Sequence, residues 1–119
     1  MLDPPAKADA VQFDAGFGPR VLLTIDAEEE FDWSAPFSRE GHQLKHIPQL
    51  VRFQSFCEEI AAHPVYLVDW PIANDDQAVE IIGSAVQRKT ADLGMQLHPW
   101  VNPPFEESVN SYNSYAGNL

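Results

Sequence analysis

The sequence is poor in cysteine and in basic residues. Of its 119 residues, one is a cysteine (Cys57), and 7 Lys and Arg stand against 18 Asp and Glu, which gives a formal net charge of −11. A single cysteine excludes an intrachain disulfide and a cysteine-rich metal site. The negative charge repels phosphate backbones and anionic lipids, so neither nucleic acid nor a membrane is an expected partner.

Long hydrophobic runs and glycine-rich phosphate loops are also missing. No stretch approaches the roughly 20 apolar residues of a membrane-spanning helix, and the first ten residues lack the apolar segment of a signal peptide. The absence of a Walker pattern and of a Gly-x-Ser-x-Gly turn gives no support to nucleotide binding or serine hydrolysis. We expect a cytoplasmic protein, or one without the export signal of a longer gene product.

What the chain does contain is an ordinary globular composition, with 45% hydrophobic residues. Its length suits one compact domain but falls short of the roughly 200 to 250 residues of a closed (β/α) barrel. Residues 1–20 hold prolines and glycines without a sustained period and are interpreted as an N-terminal arm. Residues 21–119 are interpreted as the domain itself.

Apolar runs and helical periodicity alternate along this domain. Short apolar runs predict buried strands near 21–26, 64–69 and 92–98, and apolar spacings of three and four predict helices near 47–62 and 75–89. Asn74 is the expected N-cap of the second helix. The order strand, helix, strand, helix, strand predicts an α/β fold with parallel strands, in a barrel or a doubly wound sheet.

Carboxylates and a histidine follow the three predicted strands. Asp26 with Glu28, Asp69 with Trp70, and His98 fall at the strand ends, where parallel α/β proteins bind ligands. Two carboxylates and an imidazole there would suit a divalent cation, with zinc, cobalt and manganese all acceptable. The alternatives are a turn residue at Asp26, a solvated acidic loop after it, and a structural histidine at position 98.

Aromatic residues are frequent in the predicted strand-end loops, where their rings could stack on sugars or simply cover a small core. They are Phe31, Trp33, Phe37, Trp70, Trp100, Tyr112 and Tyr115.

Several of these segments resemble one family. The sequence of residues 24–29, Thr-Ile-Asp-Ala-Glu-Glu, resembles the first motif of the polysaccharide deacetylase (NodB-homology) family, with Asp-x-Glu in place of two adjacent aspartates. Residues 93–104, which include His-Pro-Trp-Val-Asn-Pro-Pro, resemble the second motif of its WalW-like branch. Residues 66–71 and 113–119 are similar to that branch as well, so the resemblance covers nearly all of residues 20–119.

The resemblance implies a metal-dependent hydrolase that removes acetyl groups from carbohydrate polymers on a partial (β/α) barrel. Asp26 matches the catalytic base, while Glu28 and His98 match metal ligands, with zinc the expected metal. Trp70, Trp100, Gln96 and Asn102 are the candidate substrate-binding residues.

The departures from the family pattern point to alternatives. Gln96 stands where the second motif normally has its earlier histidine, and Asn102 is not a histidine either. The later motifs would lie beyond Leu119, so we interpret the chain as an N-terminal fragment and expect it to be inactive or very weakly active. One alternative is a non-catalytic carbohydrate-binding or regulatory relative. Another is a fragment that self-associates through an open sheet edge.

Overall fold

Three short strands form one parallel sheet. In the computed structural model, which describes residues 6–110, β1 spans Leu23–Ala27, β2 spans Pro64–Val68 and β3 spans Asp92–Met95. The strand order is β1-β2-β3, and both neighbouring pairs are parallel. The predicted parallel α/β fold is confirmed, and the sheet of the described residues is open. Residues 113–119, whose sequence is similar to the WalW-like branch, lie outside the described residues.

All three strands are shorter than predicted, β2 by the single residue Asp69. β1 begins at Leu23 because Val21 and Leu22 are exposed and make no ladder contact. β3 ends at Met95, although the backbone N–H of Gln96 still donates to the carbonyl of Val68 at 3.0 Å. The segment that carries His98 is therefore a loop after the strand.

Both predicted helices form, and both end earlier than the apolar pattern suggested. A 3-10 turn at Ile47–Gln49 leads into α1, Leu50–Glu59, and the longest helix is α3, Asp76–Gln87. Ala61 and Lys89 adopt left-handed backbone angles, with φ of 54° and 59°. A left-handed residue just past a helix ends its hydrogen-bond ladder, so neither helix continues to 62 or 89.

A short helix between these two was not predicted. α2 spans Trp70–Ala73, and the Asp69 side chain caps it by accepting a hydrogen bond from the Ile72 N–H at 3.0 Å. β2 ends at Val68, and Pro71 lies in the first turn of α2, a position that a proline tolerates. This cap fixes the Asp69 carboxylate at the end of β2.

The N-cap prediction at Asn74 is wrong. The cap of α3 is Asp75, whose Oδ1 accepts from the Ala78 N–H at 2.8 Å. The Asn74 side chain instead donates to the carbonyl of Trp70 at 2.7 Å, because Asn74 closes the short helix α2.

The helices pack on one face of the sheet. Buried residues of the strands join buried residues of all three helices in one apolar core, whose members include Ala27, Tyr66, Val68, Leu50, Ile72, Ala78, Ile82 and Ala85. The opposite face carries exposed Thr24 and Asp26 on β1. On that face Leu67 lies across Gly94, where an added Cβ would come within 2.7 Å of the leucine Cδ2.

A polar network joins the core to the helices. The Tyr66 hydroxyl donates to Gln54 at 2.9 Å, and the Gln54 amide donates to Glu58 at 3.0 Å and to the Thr90 hydroxyl at 3.1 Å. Arg88 closes the network with a 2.8 Å ion pair to Glu58. These contacts tie α1 to the segment that follows α3.

β1 and β3 are the sheet edges among the described residues. The side chains of Leu93 and Met95 on β3, and of Leu97 just after it, are exposed. None of the helices in residues 6–110 has the length and apolarity needed to cross a membrane.

Candidate functional site

Ionisable side chains from all three strand ends meet at the carboxyl edge of the sheet, and His98 is their centre. Its Nδ1 lies 3.0 Å from Oε2 of Glu29 and 3.7 Å from Oδ2 of Asp69. Its Nε2 lies 3.4 Å from Oε2 of Glu28. The predicted pair Glu28 and His98 is thus brought together across the end of β2, because all three parallel strands end at the same edge of the sheet.

Glu29 is the residue that the sequence did not single out. It is 2% exposed, and its Oε1 accepts a hydrogen bond from the indole N–H of Trp100 at 2.7 Å. Its backbone N–H donates to Oδ2 of Asp69 at 3.0 Å. Nothing in the run of three glutamates distinguishes the middle one, because its burial depends on partners about 40 and 70 residues further along the chain.

Glu29 and Asp69 bring two buried carboxyl groups close together. Burial first, and then the hydrogen bond and charge of Glu29, raise the pKa of Asp69 to about 7, against the backbone N–H groups of Ile72 and Glu29, which act to lower it. Burial also acts to raise the pKa of Glu29, but hydrogen bonds from His98, Asp69 and Trp100 outweigh it and lower that pKa to about 2. Two carboxylates in contact cannot both be ionised at low cost unless a cation lies beside them.

His98 supplies part of the compensating positive charge. Burial acts to lower its pKa, but the hydrogen bond and charge of Glu29, with the charges of Glu28 and Asp69, reverse that effect and raise the pKa. Protonated His98 is therefore stabilised by three surrounding carboxyl groups, and a divalent cation would compete with that proton.

The donor set could hold a metal ion. Glu29, Asp69 and His98 each offer one ligand atom, and these atoms lie within 4.8 Å of one another. Two carboxylates and one imidazole match the ligands of zinc, cobalt and manganese. Glu28 offers a further carboxylate on the other nitrogen of His98.

Asp26, the predicted catalytic base, is separated from this buried group. It is an exposed residue of β1, on the face of the sheet that the helices leave open. Glu28 follows two residues later, so strand alternation directs both carboxylates to that face. The catalytic role of Asp26 stays a prediction.

Three of the four predicted substrate-binding residues lie together. Trp70, Gln96 and Asn102 line one groove of about 380 Å³ beside β3. Trp70 is 44% exposed, and Oδ1 of Asn102 is a buried acceptor with no hydrogen-bond partner among the described residues. The Gln96 amide donates to Oε2 of Glu28 at 3.1 Å, so Gln96 contacts both this groove and the predicted metal ligand.

Trp100, the fourth, is packed inside an aromatic cluster. It is 4% exposed, and its ring stacks on His98 at 4.6 Å and on Phe37 at 4.2 Å. Little of the indole is left for a sugar. Trp33 has the exposed ring of this cluster, and it contacts Phe31 at 4.3 Å between centroids.

Comparisons of the chain with protein-family models, curated proteins and solved structures find no match. The resemblance to the polysaccharide deacetylases therefore depends on the motif residues alone.

Proposed function

We propose that the chain carries part of a metal-dependent hydrolase site of the polysaccharide deacetylase type. The reaction would cleave carbon–nitrogen bonds of acetylated sugars, which are amide but not peptide bonds. The observation that carries the proposal is the contact of Glu28 with Nε2 of His98 at 3.4 Å, above the buried carboxyls of Glu29 and Asp69. This arrangement places both predicted metal ligands at the carboxyl edge of a parallel sheet.

The strand order and the one-sided helices fit a partial (β/α) barrel as well as one half of a doubly wound sheet, and the resemblance favours the barrel. In a doubly wound sheet the strand order reverses and helices cover both faces, whereas in a barrel successive strands are neighbours and helices cover only the outside. Here the order is β1-β2-β3 and the helical core lies on one face. The open face, which carries Asp26, would then face the barrel interior.

Different residues of the site could supply the metal ligands and the general base that amide hydrolysis requires. When bound, a zinc ion would polarise the acetyl carbonyl as a Lewis acid. Glu28 and His98 would hold it, and Gln96 would orient the Glu28 carboxylate through its 3.1 Å hydrogen bond. Asp26, on the same face as Glu28, would accept the proton of the attacking water.

The groove beside β3 supports a carbohydrate substrate. The half-exposed indole of Trp70 offers a face for a sugar ring, and Asn102 lines the same groove as a polar residue. Stacking of an aromatic ring on the apolar face of a sugar does not require charge, so it fits a chain of net charge −11.

Calorimetric titration with zinc and with cobalt tests the metal site. We expect micromolar or tighter binding by the natural sequence and its loss in the Asp26→Ala, Glu28→Ala, His98→Ala triple variant. Glu59→Ala, at the end of α1, is the control and should bind like the natural sequence. Equal binding in all three proteins, or none in any, would contradict the metal-dependent function.

A non-catalytic carbohydrate-binding or regulatory role is the second candidate. Gln96 stands where the family's second motif has a histidine, so this position supplies no imidazole ligand to a metal. Its side-chain amide instead donates to Glu28. Titration with acetylated glucosamine oligomers, with and without a chelator, separates the two roles. Binding that is unchanged by the chelator and weakened by Trp70→Ala would favour the second.

Self-association is a further prediction for the open edge of β3. A paired edge would satisfy its backbone N–H and C=O groups, and the exposed Leu93, Met95 and Leu97 lie beside it. Size-exclusion chromatography with light scattering should give a mass above that of the 13.3 kDa chain. A monomer at all concentrations would rule this association out.

A further inference from the structure

The two nitrogens of His98 face different surroundings. Nδ1 faces inward to Glu29 and Asp69, whose side chains are 0% exposed. Nε2 faces Glu28, whose side chain is 30% exposed. A catalytic metal needs an open coordination position for water or substrate. Only the Nε2 side of the ring offers that access.

The oxygens of the inner carboxyls are already in use as acceptors. Glu29 accepts from Trp100 at Oε1 and interacts with His98 at Oε2. Asp69 accepts from the backbone N–H of Ile72 at Oδ1 and of Glu29 at Oδ2. A cation bound by these atoms would compete with hydrogen bonds that the fold itself supplies.

We propose that Glu29 is a positioning residue that fixes the tautomer and orientation of His98. By accepting the Nδ1–H, it leaves the lone pair on Nε2, directed toward Glu28. Metal-binding histidines commonly donate their other N–H to a carboxylate in this manner. The inference rests on the proposed metal site, but the tautomer itself exists with or without a metal.

Trp100 holds Glu29 in this role. Its indole N–H fixes Oε1 at 2.7 Å, and its ring stacks on the His98 imidazole at 4.6 Å. One side chain therefore restrains both members of the Glu29–His98 pair. This explains a buried tryptophan at a place where the sequence suggested a sugar-stacking one.

The substitution Glu29→Gln gives a defined test. The Glu29 carboxylate accepts from Nδ1 of His98 at Oε2 and from Nε1 of Trp100 at Oε1, and it also interacts with Asp69. A glutamine has one acceptor oxygen and one donor amide, so it cannot accept from His98 and Trp100 on separate oxygens. If the amide faces His98, the Nδ1–H becomes unfavourable and the proton moves to Nε2. In the double variant Glu29→Gln, Trp100→Phe, the competing donor is gone, so the oxygen can accept the Nδ1–H again.

Nitrogen-15 NMR of the imidazole reads the tautomer directly in metal-free protein at a pH where His98 is neutral. We expect Nδ1–H in the natural sequence, a shift toward Nε2–H in Glu29→Gln, and recovery of Nδ1–H in the double variant. Glu30→Gln is the matched control, because Glu30 contacts a different imidazole, that of His46, at 2.9 Å. An Nε2–H tautomer in the natural sequence, or a His98 spectrum unchanged by Glu29→Gln, would overturn the inference.

Cobalt titration of the same variants separates a positioning residue from a ligand. Loss of an outer partner weakens metal affinity by about 10- to 100-fold, and this is the effect expected for Glu29→Gln. An affinity loss as complete as that of His98→Ala would make Glu29 a ligand and would overturn the inference. Absence of cobalt binding by the natural sequence would contradict the proposed function, and the NMR result would then still decide the role of Glu29.

Discussion

Replacement of Asp69 by asparagine is expected to flatten the pH dependence of stability. In the folded protein burial and the contact with Glu29 raise the pKa of Asp69 from 3.8 to about 7. The folded state therefore binds a proton that the unfolded state releases between these two pH values. The stabilisation is present at low pH and is lost as the pH rises through the folded pKa.

The expected change in unfolding free energy follows from the size of the pKa shift of Asp69. One pKa unit corresponds to about 1.4 kcal/mol, so a pKa raised from 3.8 to about 7 removes about 4 kcal/mol of unfolding free energy across that range. The raised pKa of His98 acts in the same direction, because its contribution is also lost as the pH rises through its folded value. At lower pH the dependence of stability on pH has the opposite sign. Folding lowers the pKa of Glu29 from 4.5 to about 2, so its contribution to stability is lost on acidification. Stability should therefore be highest near about pH 4 to 5.

Urea unfolding followed by tryptophan fluorescence, in chelator and at several pH values between about 4.5 and 7.5, measures this dependence. The asparagine mimics a protonated Asp69, so Asp69→Asn should lose most of the decline between about pH 4.5 and 7, at a constant cost of about 1 to 3 kcal/mol for the lost acceptor.

Asp75→Asn is the matched control. Asp75 is also a helix N-cap, accepting from Ala78 at 2.8 Å, but it lies outside the carboxyl pair and should keep the natural pH profile. The reasoning would be refuted by stability that rises from about pH 4.5 to 7 in the natural sequence, or by an equal decline in Asp69→Asn.

Three other outcomes follow from the described contacts. Tyr66→Phe removes a buried hydroxyl that donates to Gln54 at 2.9 Å and should cost about 1 to 3 kcal/mol of unfolding free energy in urea; no loss would contradict a role for this bond. Gly94→Ala places a Cβ 2.7 Å from the Leu67 side chain, so a thermal melt should show destabilisation. This destabilisation should disappear when Leu67→Ala is added, and additive effects of the two substitutions would contradict the contact. Cys57 is 1% exposed and burial raises the pKa of its thiol, so Ellman's reagent should react only when the protein unfolds, and rapid reaction under native conditions would be inconsistent with its burial.

Much of the fold followed from local patterns in the sequence. Apolar runs closed by Asp26 and Asp69 marked parallel strands, and apolar spacing marked α1 and α3, because burial on a sheet requires these periodicities. Helix ends were missed because Ala61 and Lys89 take left-handed angles usually reserved for glycine or asparagine. α2 was missed because Pro71 is compatible both with the end of a strand and with the first turn of a helix.

The candidate site was predicted only in part. The shared edge of parallel strand ends placed Glu28 and His98 in the same region, and the two are in contact although β2 lies between their strands. The partner of Nδ1 could not be predicted, because Glu29 owes its burial to Trp100 and Asp69, and such long-range packing leaves no periodic signal. Trp100 itself was interpreted as a surface for sugars because its type suited that role, whereas its indole N–H is used inside the protein.

Zinc-dependent release of acetate from acetylated glucosamine oligomers tests the hydrolase claim most directly. The assay should use protein at a concentration that fills its metal site and should compare the natural sequence with Asp26→Asn, which keeps the metal ligands. We expect slow release that requires zinc and is lost in Asp26→Asn. Release that does not require zinc, or release at an equal rate in the two proteins, would contradict a hydrolase with Asp26 as its base.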